Sequence, residues 1–95
     1  MSFVVNEYLL MGAGVENCWQ ELKHLYDNPS DNLEGLFAED IARHWGLACS
    51  APRAVITNIE KTGKELCLTV AEYDHDVESF FSQVANLFNL SFFLY

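Results

Sequence analysis

At 95 residues the chain has room for one hydrophobic core, because a split into two would leave each half near the size at which folding alone becomes marginal. Residues 1–95 are therefore expected to form one domain. Apolar residues make up 51% of the chain and aromatic residues 14%, enough to exclude disorder at a net charge of −9. That charge works against direct contact with nucleic acid or an anionic membrane surface and favours basic partners.

The charge is unevenly spread. Up to Ala42, eight acids face Lys23 alone; Arg43 to Lys64 holds four bases and only Glu60; from Glu65 onward there are five acids and no base. No apolar run approaches the roughly 20 residues that span a bilayer, and the N-terminus lacks the basic flank of a signal peptide, so a cytoplasmic location is expected. Cys18, Cys49 and Cys67 are widely spaced with no C-x-x-C pair, which suggests neither a disulfide framework nor a cysteine zinc site. Reduced, mostly buried thiols are expected.

In chain order, Phe3 to Met11 is an apolar, β-favouring run closed by Gly12-Ala13-Gly14, a strand that enters a helix through a tight turn. Val15, Cys18, Trp19, Leu22, Leu25 and Tyr26 then recur at helical spacing, with Glu16, Glu21 and Lys23 off that face. Asn28-Pro29 ends this helix, since proline disfavours helical geometry in the residue before it. A shorter helix is predicted next, capped by Ser30 or Asp31, with Leu33, Leu36, Phe37, Ile41 and Trp45 on its buried side and Gly46 as its stop. Ala54 to Glu60 and Glu65 to Tyr73 read as a hairpin about Lys61-Thr62-Gly63-Lys64. In its second arm Leu66, Leu68 and Val70 alternate with Cys67, Thr69 and Ala71, the period of a sheet with one covered face. After Asp74-His75-Asp76, an N-cap region, Val77, Phe80, Phe81, Val84, Leu87 and Phe88 restore the helical period, and Leu90 to Tyr95 forms a last strand.

With the shorter helix treated as an insertion, this order is βαββαβ, the ferredoxin-like α+β sandwich: a four-stranded antiparallel sheet with two helices on one face and an inserted short helix. The last strand lies at an edge in that arrangement, and Phe92, Phe93, Leu94 and Tyr95 make it apolar on both faces. Such an edge must be covered or paired. Either the inserted helix and the N-terminus cover it, or it joins a second chain, with Phe93 and Tyr95 as the candidate contacts of a homodimer.

The segments Arg43-His44-Trp45-Gly46, Phe80 to Leu90 and Ser91 to Tyr95 resemble the YubB-type ferredoxin-like domain of phage and plasmid proteins. The resemblance covers Glu39 to Tyr95. That family tends to carry a His-Trp-Gly-Thr-Lys-Trp-like segment, whereas here His44-Trp45-Gly46 is followed by Leu47-Ala48-Cys49, and Ala71-Glu72-Tyr73-Asp74 stands where a tryptophan and two prolines would be. The resemblance implies no enzyme activity. It implies an origin in a mobile genetic element, where small acidic proteins resemble inhibitors of host defence, including the anti-CRISPR proteins.

No catalytic constellation stands out. Gly12-Ala13-Gly14 lacks the third glycine of a dinucleotide loop, with Asn17 in its place, and no parallel βαβ unit follows. Asp74, His75 and Asp76, even with His24 and His44, are better explained by helix capping and the helix dipole than by metal ligation. Cys49 with His44 lacks an orienting third group. No metal, cofactor or catalytic residue is therefore expected.

The carboxylates carry the functional reading. Asp31, Glu34, Glu39 and Asp40 belong to the inserted helix and its approach, while Glu72, Asp74, Asp76 and Glu78 cluster around Tyr73 and the start of the last helix. Such runs are commonly only solvated faces. The alternative is that they present a phosphate-like spacing to a basic groove, with a tyrosine (Tyr8, Tyr26, Tyr73 or Tyr95) as anchor. The expected function is non-enzymatic inhibition of a basic host complex that handles nucleic acid, a CRISPR surveillance complex being the specific candidate. The competing readings are an oligomeric module joined through its last strand and a small-molecule or enzymatic domain using His44 and Cys49.

Overall fold

A computed structural model describes residues 3–27, 35–47, 51–74 and 76–95. Over these residues the protein is an α+β structure of one five-stranded antiparallel sheet and three helices: β1 (Val4–Met11), α1 (Val15–Asp27), β2 (Leu36–Phe37), α2 (Ala38–Trp45), β3 (Ala54–Thr62), β4 (Glu65–Glu72), α3 (Val77–Leu87) and β5 (Ser91–Leu94). The strand order is β2-β3-β4-β1-β5, so the expected four strands become five. The addition is β2, where Leu36 pairs with Ile56 and Phe37 with Val55. Those two residues were expected on the inserted helix. Instead Phe37 is extended at the N-cap position of α2 (φ −77°, ψ 142°). Gly35 makes the pairing possible, since its φ of +141° and its approach to the Ile56 carbonyl leave no room for a Cβ. The capping expected of Ser30 and Asp31 and the burial of Leu33 lie outside the described residues.

Alternation sets the core. Tyr8 and Leu10 of β1, Leu66, Leu68 and Val70 of β4, and Ile56 and Ile59 of β3 are buried against Val15, Cys18 and Leu22 of α1, Ala38 and Ile41 of α2, and Val77, Phe80, Phe81 and Val84 of α3. All three helices therefore cover one face. Ile56 and Ile59 are three apart and would face opposite sides of a regular strand. A bulge resolves this: Ile56 pairs with Val70 and Asn58 with Thr69, leaving Thr57 as the extra residue. The Tyr26 hydroxyl donates to the Thr57 carbonyl at 2.7 Å, satisfying a group that the bulge takes out of the ladder.

Among the described residues no helix lies over the opposite face of the sheet. Val5, Glu7, Leu9 and Met11 share it with Glu65, Cys67 and Thr69 of β4, Glu60 and Thr62 of β3, and Phe93 of β5, as the registers require. Among the described residues no helix is long and apolar enough to cross a membrane.

Burial has a titration consequence. Cys18 is fully buried, and desolvation, with the Glu21 carboxylate second, pushes its thiol from an ordinary 9.0 up to about 12. A folded-state value above the unfolded one means stability is intact below pH 9 and is lost as pH rises toward 12, because the unfolded chain releases the proton first. Urea unfolding should show stability about 1.4 kcal/mol lower at pH 10 than at pH 8 from this group alone. Cys18→Ala should reduce that slope; identical slopes for the two proteins would show that Cys18 does not contribute.

Candidate functional site

β4 delivers the site. Its core-facing residues run Leu66, Leu68, Val70, Glu72, so the alternation that buries three apolar side chains places a carboxylate at the end of the row. There the neighbouring strand offers Val4 opposite Glu72 and Asn6 opposite Val70. The Glu72 carboxylate accepts a hydrogen bond from Asn6 Nδ2 at 2.9 Å and another from the Tyr8 hydroxyl. Burial, together with that carboxylate and Glu78, holds the Tyr8 hydroxyl well above the usual phenol range. Tyr8 therefore donates and stays neutral, and Glu72 is held by two donors that fix its orientation.

Tyr73, the next residue, is 36% exposed and packs its ring against Phe3 at 5.4 Å between centroids. The chain then turns: Asp74 Oδ2 accepts from the Arg53 backbone N–H at 2.8 Å, tying the end of the hairpin to the start of β3. Asp76 occupies the N-cap position of α3 but makes no side-chain cap bond, so the capping expected of this aspartate is corrected. Glu78 lies in the first turn of the same helix, where the helix dipole favours an acid.

These residues share a surface. Phe3, Val4, Asn6, Tyr8, Glu72, Tyr73, Asp74 and Glu78 line a depression of about 530 Å³. On its other side Tyr73 helps line a second depression, about 550 Å³, with Phe37, Glu39, Ala51, Pro52, Arg53, Ala54 and Val55. The exposed tyrosine is thus a ridge between two hollows, with Glu72, Asp74 and Glu78 on one side and Glu39 on the other.

Of the acids expected to bind, Glu72, Asp74 and Glu78 are brought together, and Glu39 joins from α2. Asp40 is drawn off into an ion pair with Arg43 one turn along. Asp31 and Glu34 lie outside the described residues. Among the candidate anchors only Tyr73 stands exposed at the acids. Tyr8 is 1% exposed and serves the core, and Tyr26 is spent on the β3 bulge; both are corrections, imposed by the long-range pairing of β1 and the irregularity in β3. Phe93 and Tyr95 are half exposed and three-quarters exposed respectively, away from this surface. Phe3 and Asn6 were missed. Asn6, a lone amide in an apolar run, was the one visible signal.

Of the cations, Arg53 lines the hollow that Glu39 and Tyr73 share, whereas Lys23 and Lys61 are engaged elsewhere. Lys23 pairs with Asp27 at 2.7 Å, and Lys61 meets Glu16 at 3.4 Å while lying 5.4 Å from the Trp19 ring centroid. Glu21 accepts from Trp45 Nε1 at 2.6 Å and lies 3.6 Å from His44 Nε2, linking α1 to α2. Among the described residues no three His, Cys, Asp or Glu side chains are placed to hold a metal ion, and Cys49 lies outside them. No protein-family model, curated protein or solved structure matches this chain.

Proposed function

We propose that the protein is a non-enzymatic binding module that docks on a basic protein surface through Tyr73 and the acids around it. The observation that carries this reading is the placement of Tyr73 as an exposed, Phe3-backed ridge between hollows that hold Glu72, Asp74 and Glu78 on one side and Glu39 on the other. An aromatic anchor ringed by carboxylates suits lysine and arginine, which the acids attract and the ring face accepts. Two donors hold Glu72 in place before any partner arrives, so little ordering entropy remains to be lost on binding. The partner this reading implies is a basic protein complex, with no direct contact to nucleic acid or to a membrane.

The four long strands, ordered β3-β4-β1-β5, support a ferredoxin-like reading in which β2 is an addition beside β3. Together with the likeness of Glu39 to Tyr95 to the YubB-type domain, this extends the proposal to an inhibitor carried by a mobile element. Its target would be a host complex whose basic groove otherwise holds DNA or RNA, with a CRISPR surveillance complex as the specific candidate and the host cytoplasm as the location. Carboxylates in such a groove take the place of phosphates.

The test is a pull-down from bacterial lysate at about 0.1 M and about 0.5 M salt, two ionic strengths at which screening differs strongly. Wild-type protein is compared with Tyr73→Ala and Glu78→Lys. Glu72 is left intact because its loss would strand the Tyr8 hydroxyl in the core. Wild type should retain a basic nucleic-acid-binding complex at low salt and release it at high salt, and each variant should lose about thirtyfold or more in affinity. Equal capture by wild type and both variants would overturn the proposal.

A further inference from the structure

We infer that β5 is a self-association edge, and that a second copy of this chain pairs with it antiparallel about a two-fold axis at Phe93. The inference rests on the hydrogen-bonding sense of the sheet, the charge of the surface and its exposed side chains. It involves none of the residues around Tyr73.

The sense of the ladder follows from two bonds. The Tyr95 N–H donates to the Glu7 carbonyl at 2.8 Å, and β1 pairs with β5 in the register Tyr8 to Leu94, Leu9 to Phe93 and Leu10 to Phe92. In an antiparallel pair, bonded and non-bonded residues alternate, so Glu7 and Leu9 turn their backbone groups toward β5, and Phe93 and Tyr95 turn theirs toward β1. Across β1 the Gly12 N–H donates to the Lys64 carbonyl at 3.3 Å, which assigns the even-numbered residues to β4, as the same alternation demands. Phe92 and Leu94 therefore point their N–H and C=O groups outward, and among the described residues no strand lies beyond β5.

That outward row is self-complementary. Two copies related by a two-fold axis at Phe93 set Phe92 of one opposite Leu94 of the other, twice, and each such pair exchanges both of its N–H···O bonds. Phe93 then faces Phe93 of the second copy as a non-bonded pair, the closer kind in which side chains meet. No group is left over in this register. A shift by one residue would set outward groups against inward ones.

Charge selects the same edge. In a chain of net charge −9, a second copy is repelled from most of the surface, but from Ser79 to Tyr95 there is no charged residue at all. Face-to-face stacking of the open sheet would set Glu7, Glu60 and Glu65 against their own copies. Edge pairing does not. Phe93 is 50% and Leu94 55% exposed, and the strand carries no lysine, proline or bulge, the usual guards of an edge. The two five-stranded sheets would become one continuous sheet.

The experiment is sedimentation across a concentration series, joined to amide exchange followed by NMR. A dimer should form, persist at high salt, and slow the exchange of the Phe92 and Leu94 amides as concentration rises, while the Phe93 and Tyr95 amides, bonded to β1 in either state, do not respond. Leu94→Pro removes an outward donor without touching the β1 ladder and should raise the dissociation constant at least about tenfold. Phe93→Lys, which sets like charges across the axis, should do the same with the fold intact by circular dichroism. Tyr73→Ala should leave the dimer unchanged, which separates this result from the partner-binding test. A monomer at every concentration, or a dimer in which the Phe92 and Leu94 amides stay unprotected, would overturn the inference.

Discussion

Gly14→Ala should lower stability by about 3 kcal/mol, the upper end of what a forced methyl group costs, and depress the melting temperature by roughly 15 °C for a domain of this size. Gly14 lies in the turn between β1 and α1, where its backbone passes the C-terminal end of α3. A Cβ built there would stand 2.1 Å from the Phe88 carbonyl oxygen. That oxygen cannot retreat, because Phe88 is the C-cap of α3 and the Leu90 N–H returns to the Ala85 carbonyl at 2.9 Å to close the helix. Asn89 completes that stop with φ at +56°, a left-handed conformation that asparagine tolerates. The methyl group must therefore push the α1 and α3 ends of the molecule apart. Gly63→Ala is the informative comparison. Gly63 has φ of +61° and open space around it, so alanine there pays only the left-handed penalty, about 1 to 2 kcal/mol. Thermal denaturation of both variants decides the matter: equal melting temperatures would mean the close approach at Phe88 is not present in solution.

Phe81→Ala should cost about 3 to 5 kcal/mol, a large share of the about 5 to 15 kcal/mol that holds a domain together. Phe81 is fully buried. It meets Phe80 edge-on at 5.2 Å and stacks on Tyr8 at 5.8 Å, and Tyr8 stacks in turn on Phe92 at 5.3 Å. The same Tyr8 ring carries the hydroxyl that holds Glu72, so a cavity at Phe81 loosens both the acidic site and the inner anchor of β5. Phe81→Leu, which keeps most of the volume, should cost only about 1 to 2 kcal/mol. Urea unfolding gives both numbers. Near-equal losses for the two substitutions would show that the core closes around the missing ring and that the stack does not brace the site.

The gap between expectation and structure follows from what periodicity can carry. α1 and α3 were readable because Val15, Cys18 and Leu22, or Val77, Phe81 and Val84, repeat at a spacing that only a helix turns to one side, and their burial agrees. The hairpin was readable from Gly63 and the alternation in β4, although pairing continues to Thr62 and Glu65 and shortens the turn. β2 was not, because Leu36, Phe37, Ile41 and Trp45 also fit a helical stripe, and a two-residue strand has no period of its own. The bulge at Thr57 was likewise invisible: Ile56 and Ile59 read as a broken alternation until the sheet shows both on one face. At the site, the adjacency of Glu72, Asp74 and Glu78 was plain in the chain, but their company was not.

The sequence by itself determined the α+β class, the main helices, the hairpin and the acidic group after β4, because each depends on neighbours within a few residues. The tertiary structure alone decided that Val4 lies beside Glu72, that Tyr8 is buried to hold that carboxylate, that Glu39 and Tyr73 line one hollow, and that in β5, the strand expected at an edge, it is Phe92 and Leu94 whose backbone groups face outward. The pairing of β1 with β4 joins residues more than sixty positions apart, a choice set by the total burial of one shared core and not by any local pattern.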